Sequence, residues 1–254
     1  MKEILFALKS GFGWLSTIPV GISMEGVEAL MKHVYLFPLV GMALGAVLGG
    51  VCCIALQAFP AGLAAVVVIA TTYWLCGINH IDGLADFADG VIAHGTREKK
   101  IAAMKDIYLG TGGGLYIVLL ILASFALLSS LPEGLAPLAV LSAEVSAKEA
   151  MITFAAFSHP LQKGFGQIMI QRTDLGQFLL GLAISAVICS LALGALGLAV
   201  LATAQLAALC LVEVSKRNFG GATGDGIGAT NELARVTALA AALTLGGVLP
   251  WTLW

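Results

Sequence analysis

Three aspartates, Asp82, Asp86 and Asp89, punctuate the run Asn79-His80-Ile81-Asp82-Gly83-Leu84-Ala85-Asp86-Phe87-Ala88-Asp89-Gly90. Spaced i, i+4 and i+7, they share one face of a helix with 3.6 residues per turn. Like charges at that spacing weaken a helix by about 0.2–0.5 kcal/mol in water and by more where a membrane lowers the dielectric, so a cation is the natural compensation. Oxygen-only donors with a single neighbouring histidine select a hard ion such as Mg²⁺ over zinc. The competing account is that the acids merely solvate the end of an apolar segment. Three on one face weigh against it, because acids in or beside a membrane are costly and mark function. His80 suits a structural histidine as well as a substrate ligand or an acid–base group.

Two further clusters carry polar chemistry. Arg97-Glu98-Lys99-Lys100 is followed by Lys105-Asp106 and then by Gly110-Thr111-Gly112-Gly113-Gly114. Glycines ahead of a helix let backbone N–H groups approach an anion at its positive end, and phosphate is the anion expected. Lys105 and Asp106 are the stronger candidates here and Arg97 a weaker substrate contact. No Walker spacing is present, and glycine-rich helix ends also serve packing. Downstream, Gly220-Gly221-Ala222-Thr223-Gly224-Asp225-Gly226-Ile227-Gly228 leads into Asn231 and Glu232. So many glycines do not make a dependable isolated helix. If the stretch is helical, Asp225 and Glu232 share a face, with Asn231 close by and Gly224 admitting a ligand, and this second acid site would complete a metal shell or orient a nucleophile. Otherwise the segment only packs helices. Glu144 and Lys148 stand i, i+4 in an apolar run and form an internal ion pair; a staple between helices and a substrate pocket are equally open for them.

The elements that hold these residues follow from composition. Of 254 residues, 59% are apolar and only 11% charged, with a mean hydropathy of +0.98, whereas a soluble domain is about 25% charged. The expected fold is an all-α polytopic membrane bundle, one integral membrane domain over 1–254. A span needs roughly 20 apolar residues, and the apolar runs 35–58, 62–78, 113–131, 135–157, 175–193, 195–212 and 233–254 give about seven spans. Ahead of them, Ile4, Leu5, Leu8, Phe12 and Leu15 at helical spacing beside Lys2 and Lys9 predict an N-terminal helix lying in the interface. No removable signal peptide is read there. With the N-terminus inside, Lys2, Lys9, Lys32, Arg97, Lys99, Lys100, Lys105, Lys163, Arg172, Lys216, Arg217 and Arg235 fall in or beside cytoplasmic segments. The long polar segments 80–111, 158–174 and 213–232 then converge on the cytoplasmic face, and the outer connections are short turns, one of them near Gly194. A net charge of −2 offers no basic stripe for nucleic acid. The five cysteines lie in apolar stretches without C-x-x-C pairing and read as buried hydrophobes.

At these residues the sequence resembles the cobalamin synthase family, the adenosylcobinamide-GDP ribazoletransferases. The resemblance covers most of the chain. It is carried by Phe37-Pro38-Leu39-Val40-Gly41, by His80-x-Asp82-Gly83-Leu84-Ala85-Asp86-x-x-Asp89-Gly90, by Met104-Lys105-Asp106 and its glycines, by Glu144 to Lys148, and by Gly220-Gly221-x-Thr223-Gly224-Asp225. One departure is visible: the family's early segment usually carries an Arg before Ile-Pro, where Ser16-Thr17-Ile18-Pro19 has none. The resemblance implies a Mg²⁺-dependent enzyme of the inner (cytoplasmic) membrane. Its substrates would be adenosylcobinamide-GDP and α-ribazole, or α-ribazole 5′-phosphate, and GMP would leave. Asp82, Asp86 and Asp89 would hold the metal, Asp106 or Asp225 would add a ligand or the general base, and Lys105 would neutralise phosphate. Whether the chain forms a homo-oligomer stays open. Two alternatives remain beside it. A CDP-alcohol phosphotransferase is echoed by Asp86-x-x-Asp89-Gly90-x-x-Ala93 but fails at His94, where that motif needs Arg. A cation-coupled transporter would place its acids at mid-bilayer, whereas these gather at one end of the spans.

Overall fold

The computed structural model describes residues 2–161 and 165–251, and among them it contains eleven α-helices, a short 3₁₀ helix and no strand. The predicted all-α architecture is present. Helix α1 (Lys2–Leu15) and α2 (Met24–Met31) pack on each other, the 3₁₀ turn Val34–Leu36 leads into α3 (Phe37–Ala58), and α4 (Ala61–Cys76) returns along it. Gly77, at φ 75°, ends α4, and α5 (Asn79–Ile92) departs at 94° to it. The three-aspartate helix is therefore a separate element rather than the end of a span. Then come α6 (Arg97–Met104), α7 (Thr111–Ser130), α8 (Ala136–Ala156), α9 (Phe165–Arg172), α10 (Leu175–Phe219) and α11 (Gly224–Leu245).

Among the described residues three helical segments are long and apolar enough to cross a membrane, Val34–Ala58, Thr111–Ser130 and Leu175–Phe219, and the bent pair α4 with α5 is a fourth if counted as one span. This is fewer than the seven expected, for three physical reasons. Helix α4 has only 16 residues. Helices α8 and α11 carry charges, Glu144, Lys148 and Glu149 in one, Asp225, Glu232 and Arg235 in the other. The fifth and sixth apolar runs form one helical element broken by non-helical dihedrals at Leu193 and Gly194. The turn predicted near Gly194 is this break. Its two arms lie along α8 in opposite directions: Phe178 meets Phe157 edge to face and Cys189 lies against Ser146, while beyond the break Gln205 reaches back to Ser146 and Thr153.

The expected polar segment 213–232 is not a loop. Helix α10 continues to Phe219, Gly220 closes it in the left-handed conformation at φ 84°, and α11 starts at Gly224. Thr223 caps α11, its Oγ1 accepting from Gly226 N at 3.3 Å. The glycines are helical because tertiary contacts require them: a Cβ at Gly228 would lie 3.1 Å from the His80 carbonyl, and one at Gly226 would lie 2.7 Å from the Phe154 ring. Lys163 and the last three residues of the expected final span lie outside the described residues.

Helix α8 is the axis of the bundle, enclosed by α3, α10 and α11, and every residue from Ser142 to Ala155 is buried. Its approach to α3 rests on Gly41, Gly45 and Gly49, one per turn. Added Cβ atoms there would meet Glu144 O at 2.9 Å, Leu141 Cα at 2.9 Å and Pro137 O at 2.6 Å. In lipid, helices associate through close packing and polar contacts rather than a hydrophobic drive, and small residues at i, i+4 and i+8 permit that approach.

Candidate active site

The site is assembled where α5 crosses α11. Gly83 and Gly228 make the crossing: a Cβ on Gly83 would sit 3.2 Å from Asp225 Cα and 3.4 Å from Gly228 Cα. Backbone-to-backbone contact at this point brings Asp82 and Asp86 of α5 beside Asp225 in the first turn of α11. Their proximity registers in their ionisation. Burial, and then the carboxylates of Asp225, Asp82 and Asp89, push the Asp86 carboxyl up to about 6. Asp225 is raised as well, chiefly by burial with Asp82 adding, against the Thr223 hydroxyl, its own backbone N–H and the nearby Lys105. Acids this crowded form a charge deficit that a cation relieves.

The third aspartate has a different occupation. Asp89 accepts from Gly110 N through Oδ2 and from Gly113 N through Oδ1, both at 2.8 Å. It thus caps the N-terminus of α7 from a neighbouring helix, satisfying donors that the α-helix leaves free and placing a negative charge at the positive end of the dipole. The glycines at 110–114 admit this carboxylate: Cβ atoms at Gly110 and Gly113 would come within 2.2 Å and 2.7 Å of its oxygens. The anion at that glycine-rich terminus is a side chain of the protein, where phosphate was expected. Among the described residues no three His, Cys, Asp or Glu side chains converge in a ready metal-binding group. Mg²⁺, however, is typically held by one or two carboxylates together with substrate phosphates, and Asp82, Asp86 and Asp225 supply that donor type.

Lys105 ends α6 and is exposed. Asp106 is also exposed, its Oδ1 accepting from Tyr108 N at 3.1 Å within its own turn. Arg97 lies against Gly220, its Nη1 3.2 Å from where a Cβ there would be, so its cation stands at the C-terminus of α10, where the helix dipole favours it.

Four expected substrate contacts lie elsewhere. Glu144, Lys148, Asn231 and Glu232 are buried and bonded to one another and to two residues the sequence did not mark as site residues, Arg235 and Tyr73. Lys148 Nζ donates to Glu144 at 3.3 Å and to Asn231 Oδ1 at 2.7 Å, and Asn231 Nδ2 donates to Glu232 at 2.9 Å. Arg235 binds Glu144 through Nε and Glu232 through Nη1, and Tyr73 OH donates to Glu232 at 3.0 Å. Two anions meet two cations, so the Glu144–Lys148 pair belongs to a buried charge network that spans α8, α11 and α4. Arg235 is thereby removed from the set of cytoplasmic topology markers, since it sits inside the bundle. Its pairing was not legible, because nothing in the spacing of Arg235 indicates Glu144, 91 positions away.

Beside Asp225 opens a cavity of about 400 Å³, walled by α1 and its following loop (Gly13, Trp14, Ser16, Thr17, Ile22), by the α4–α5 corner, and by Met151, Met169, Gly224 and Ile227. Thr17 fixes the loop: its N–H donates to Leu75 O at 2.8 Å and its hydroxyl to Trp74 O at 2.9 Å, satisfying carbonyls that the end of α4 leaves open. Gly224 lies at the mouth of α11, against which Gly166 of α9 packs so closely that a Cβ on Gly166 would be 2.6 Å from Gly224 Cα. His80 also lines the cavity. Burial, followed by the Lys148 and Arg235 cations, holds its imidazole well below the usual range, at about 3, so the ring is neutral. Its Nδ1 is buried and has no hydrogen-bond partner among the described residues.

The chain is similar over its whole length, and over the whole of the relative, to an adenosylcobinamide-GDP ribazoletransferase of Methanosarcina mazei at 41% identity. It is 42% identical to the Methanosarcina barkeri protein of that name across 94% of this chain and 92% of the relative. An Escherichia coli protein of the same name is 34% identical over 96% of this chain and all of its own length. No solved structure matches. The profile of the cobalamin-5-phosphate synthase family matches residues 7–243, which sets aside the phosphotransferase and transporter alternatives and places this chain in that family.

Proposed function

We propose that this membrane protein is an adenosylcobinamide-GDP ribazoletransferase that closes the nucleotide loop of adenosylcobalamin. The observation that carries the reading is the crossing of α5 and α11, which sets Asp82 and Asp86 beside Asp225 at the edge of a ligand-sized cavity. The acceptor is α-ribazole or its 5′-phosphate. A hydroxyl oxygen of the acceptor attacks the cobinamide-bound phosphorus, the bond from that phosphorus to the bridging oxygen breaks, GMP departs with the bridging oxygen, and the hydroxyl proton passes to a base.

Asp82 and Asp86 are the residues that would hold Mg²⁺ with the substrate pyrophosphate. Bound there, the ion supplies charge neutralisation on the pyrophosphate oxygens. Asp225, at the boundary between the acid face and the cavity, orients the attacking hydroxyl and takes its proton. A carboxyl raised by burial is a better base than an exposed one. Lys105, whose charge reaches Asp225, meets the departing phosphate. Asp89 supports the site indirectly by fixing α7 against α5. The acid face and the segment that carries α6 face the cytoplasm, as the distribution of Lys and Arg favours, and the N-terminal helix rests on the cytoplasmic surface of the inner membrane.

The test is release of labelled GMP from adenosylcobinamide-GDP by the purified protein in detergent with α-ribazole and Mg²⁺. Asp225→Asn is expected to lower kcat by about two to four orders of magnitude while cobinamide binding changes little. Release that requires no α-ribazole, or that persists in excess EDTA without added divalent metal, refutes the corresponding part.

A further inference from the structure

We infer that the 400 Å³ cavity between α1, the α4–α5 corner, α9 and α11 is the acceptor pocket. It holds the base and ribose of ribazole, with a ribose hydroxyl at Asp225, while the cobinamide-GDP donor lies outside it along the Asp82–Asp86 face. The assignment rests on the reaction proposed above.

Size is the first argument. Ligand pockets run roughly 300–1,000 Å³ for drug-sized molecules, which admits a nucleoside but not a corrin ring with its amide side chains. Charge is the second. Among the described lining residues there is no Lys or Arg, and there is one carboxylate, Asp225. A guanosine diphosphate entering there would meet that carboxylate and no cation among the described lining residues. The uncharged body of a nucleoside meets no such opposition.

The lining also divides as a nucleoside does. Trp14, Ile22, Met151, Met169 and Ile227 give an apolar, polarisable wall for the flat dimethylbenzimidazole base. Asn79, His80 and Asp225 supply polar side chains to the same lining, and the ribose hydroxyls would pair with these. Because Asp225 belongs both to this lining and to the α5–α11 crossing, a hydroxyl bound beside it is already at the border of the acid face.

The experiment is calorimetric titration of the purified full-length protein with α-ribazole, without donor, beside GMP-release kinetics. Ile22 is 59% exposed at the cavity wall, so Ile22→Trp narrows the pocket without disturbing the core. Met169→Phe, on the α9 side of the lining, is the second variant. Each is expected to raise the Kd for α-ribazole about tenfold while the KM for adenosylcobinamide-GDP moves by less than about twofold. Unchanged α-ribazole affinity in both variants, beside normal GMP release by the wild type, overturns the pocket alone, as does an effect confined to the donor KM. Absence of GMP release by the wild type overturns the reaction and with it the acceptor role.

Discussion

Lys148→Met is the most informative perturbation of the buried network. Lys148 is 0% exposed at the centre of α8 and donates to Glu144 and Asn231. Replacing it removes one of two cations that balance Glu144 and Glu232, leaving a net negative charge in a region without bulk water. Breaking a buried pair in this way costs about 3–5 kcal/mol, because the surviving charge keeps its desolvation penalty and loses its partner. For a chain of this size, each kcal/mol moves Tm by about 2–4 °C, so the melting point in detergent should fall by roughly 10 °C. The double variant Glu144→Gln/Lys148→Met restores one anion against one cation, Glu232 with Arg235. It should be more stable than the sum of the single effects by about 1–3 kcal/mol. The assay is thermal unfolding of detergent-purified protein with the KM for both substrates measured below the transition. A Lys148→Met protein with unshifted Tm and a KM raised tenfold or more would refute the staple and return Lys148 to the substrate pocket.

Three other expectations separate roles the sequence placed together. Asp89→Ala should lower Tm through loss of both capping bonds to α7, costing about 1–2 kcal/mol, with turnover per folded molecule reduced far less than in Asp82→Asn or Asp86→Asn. Those two should fall by orders of magnitude at normal membrane yield, and equal kcat losses in all three variants would remove the distinction. Gly83→Leu drives a side chain into the Asp225 backbone, so it should separate the carboxylates and abolish activity, and near-normal kcat would show the crossing to be dispensable. For orientation, a cysteine introduced at Ala93 should resist a membrane-impermeant reagent added to intact cells while one at Pro132 reacts; the inverse pattern would invert the topology.

Apolar content and run length determined much of this protein in advance. They set the all-α membrane class, the helices over 37–58, 111–130 and 136–156, and the break near Gly194. Periodicity determined that Asp82, Asp86 and Asp89 share one face of α5, because a helix fixes the angle between residues along one chain. It says nothing about what stands opposite. Asp89 looked like its neighbours until the N-terminus of α7 was placed against it. Glu144, Lys148, Asn231 and Glu232 had the polarity of a ligand site, yet Arg235 and Tyr73 arrive from α11 and α4 to join them in a buried network. The glycines at 224–228 looked helix-breaking, and were helical because close crossing with α5 and α8 outweighs their local propensity. The cavity beside Asp225 has walls from five separated stretches of chain. Only packing decides such assemblies, since the partner of a buried charge and the shape of a void are properties of surfaces that meet across the fold, and local spacing encodes one side of each.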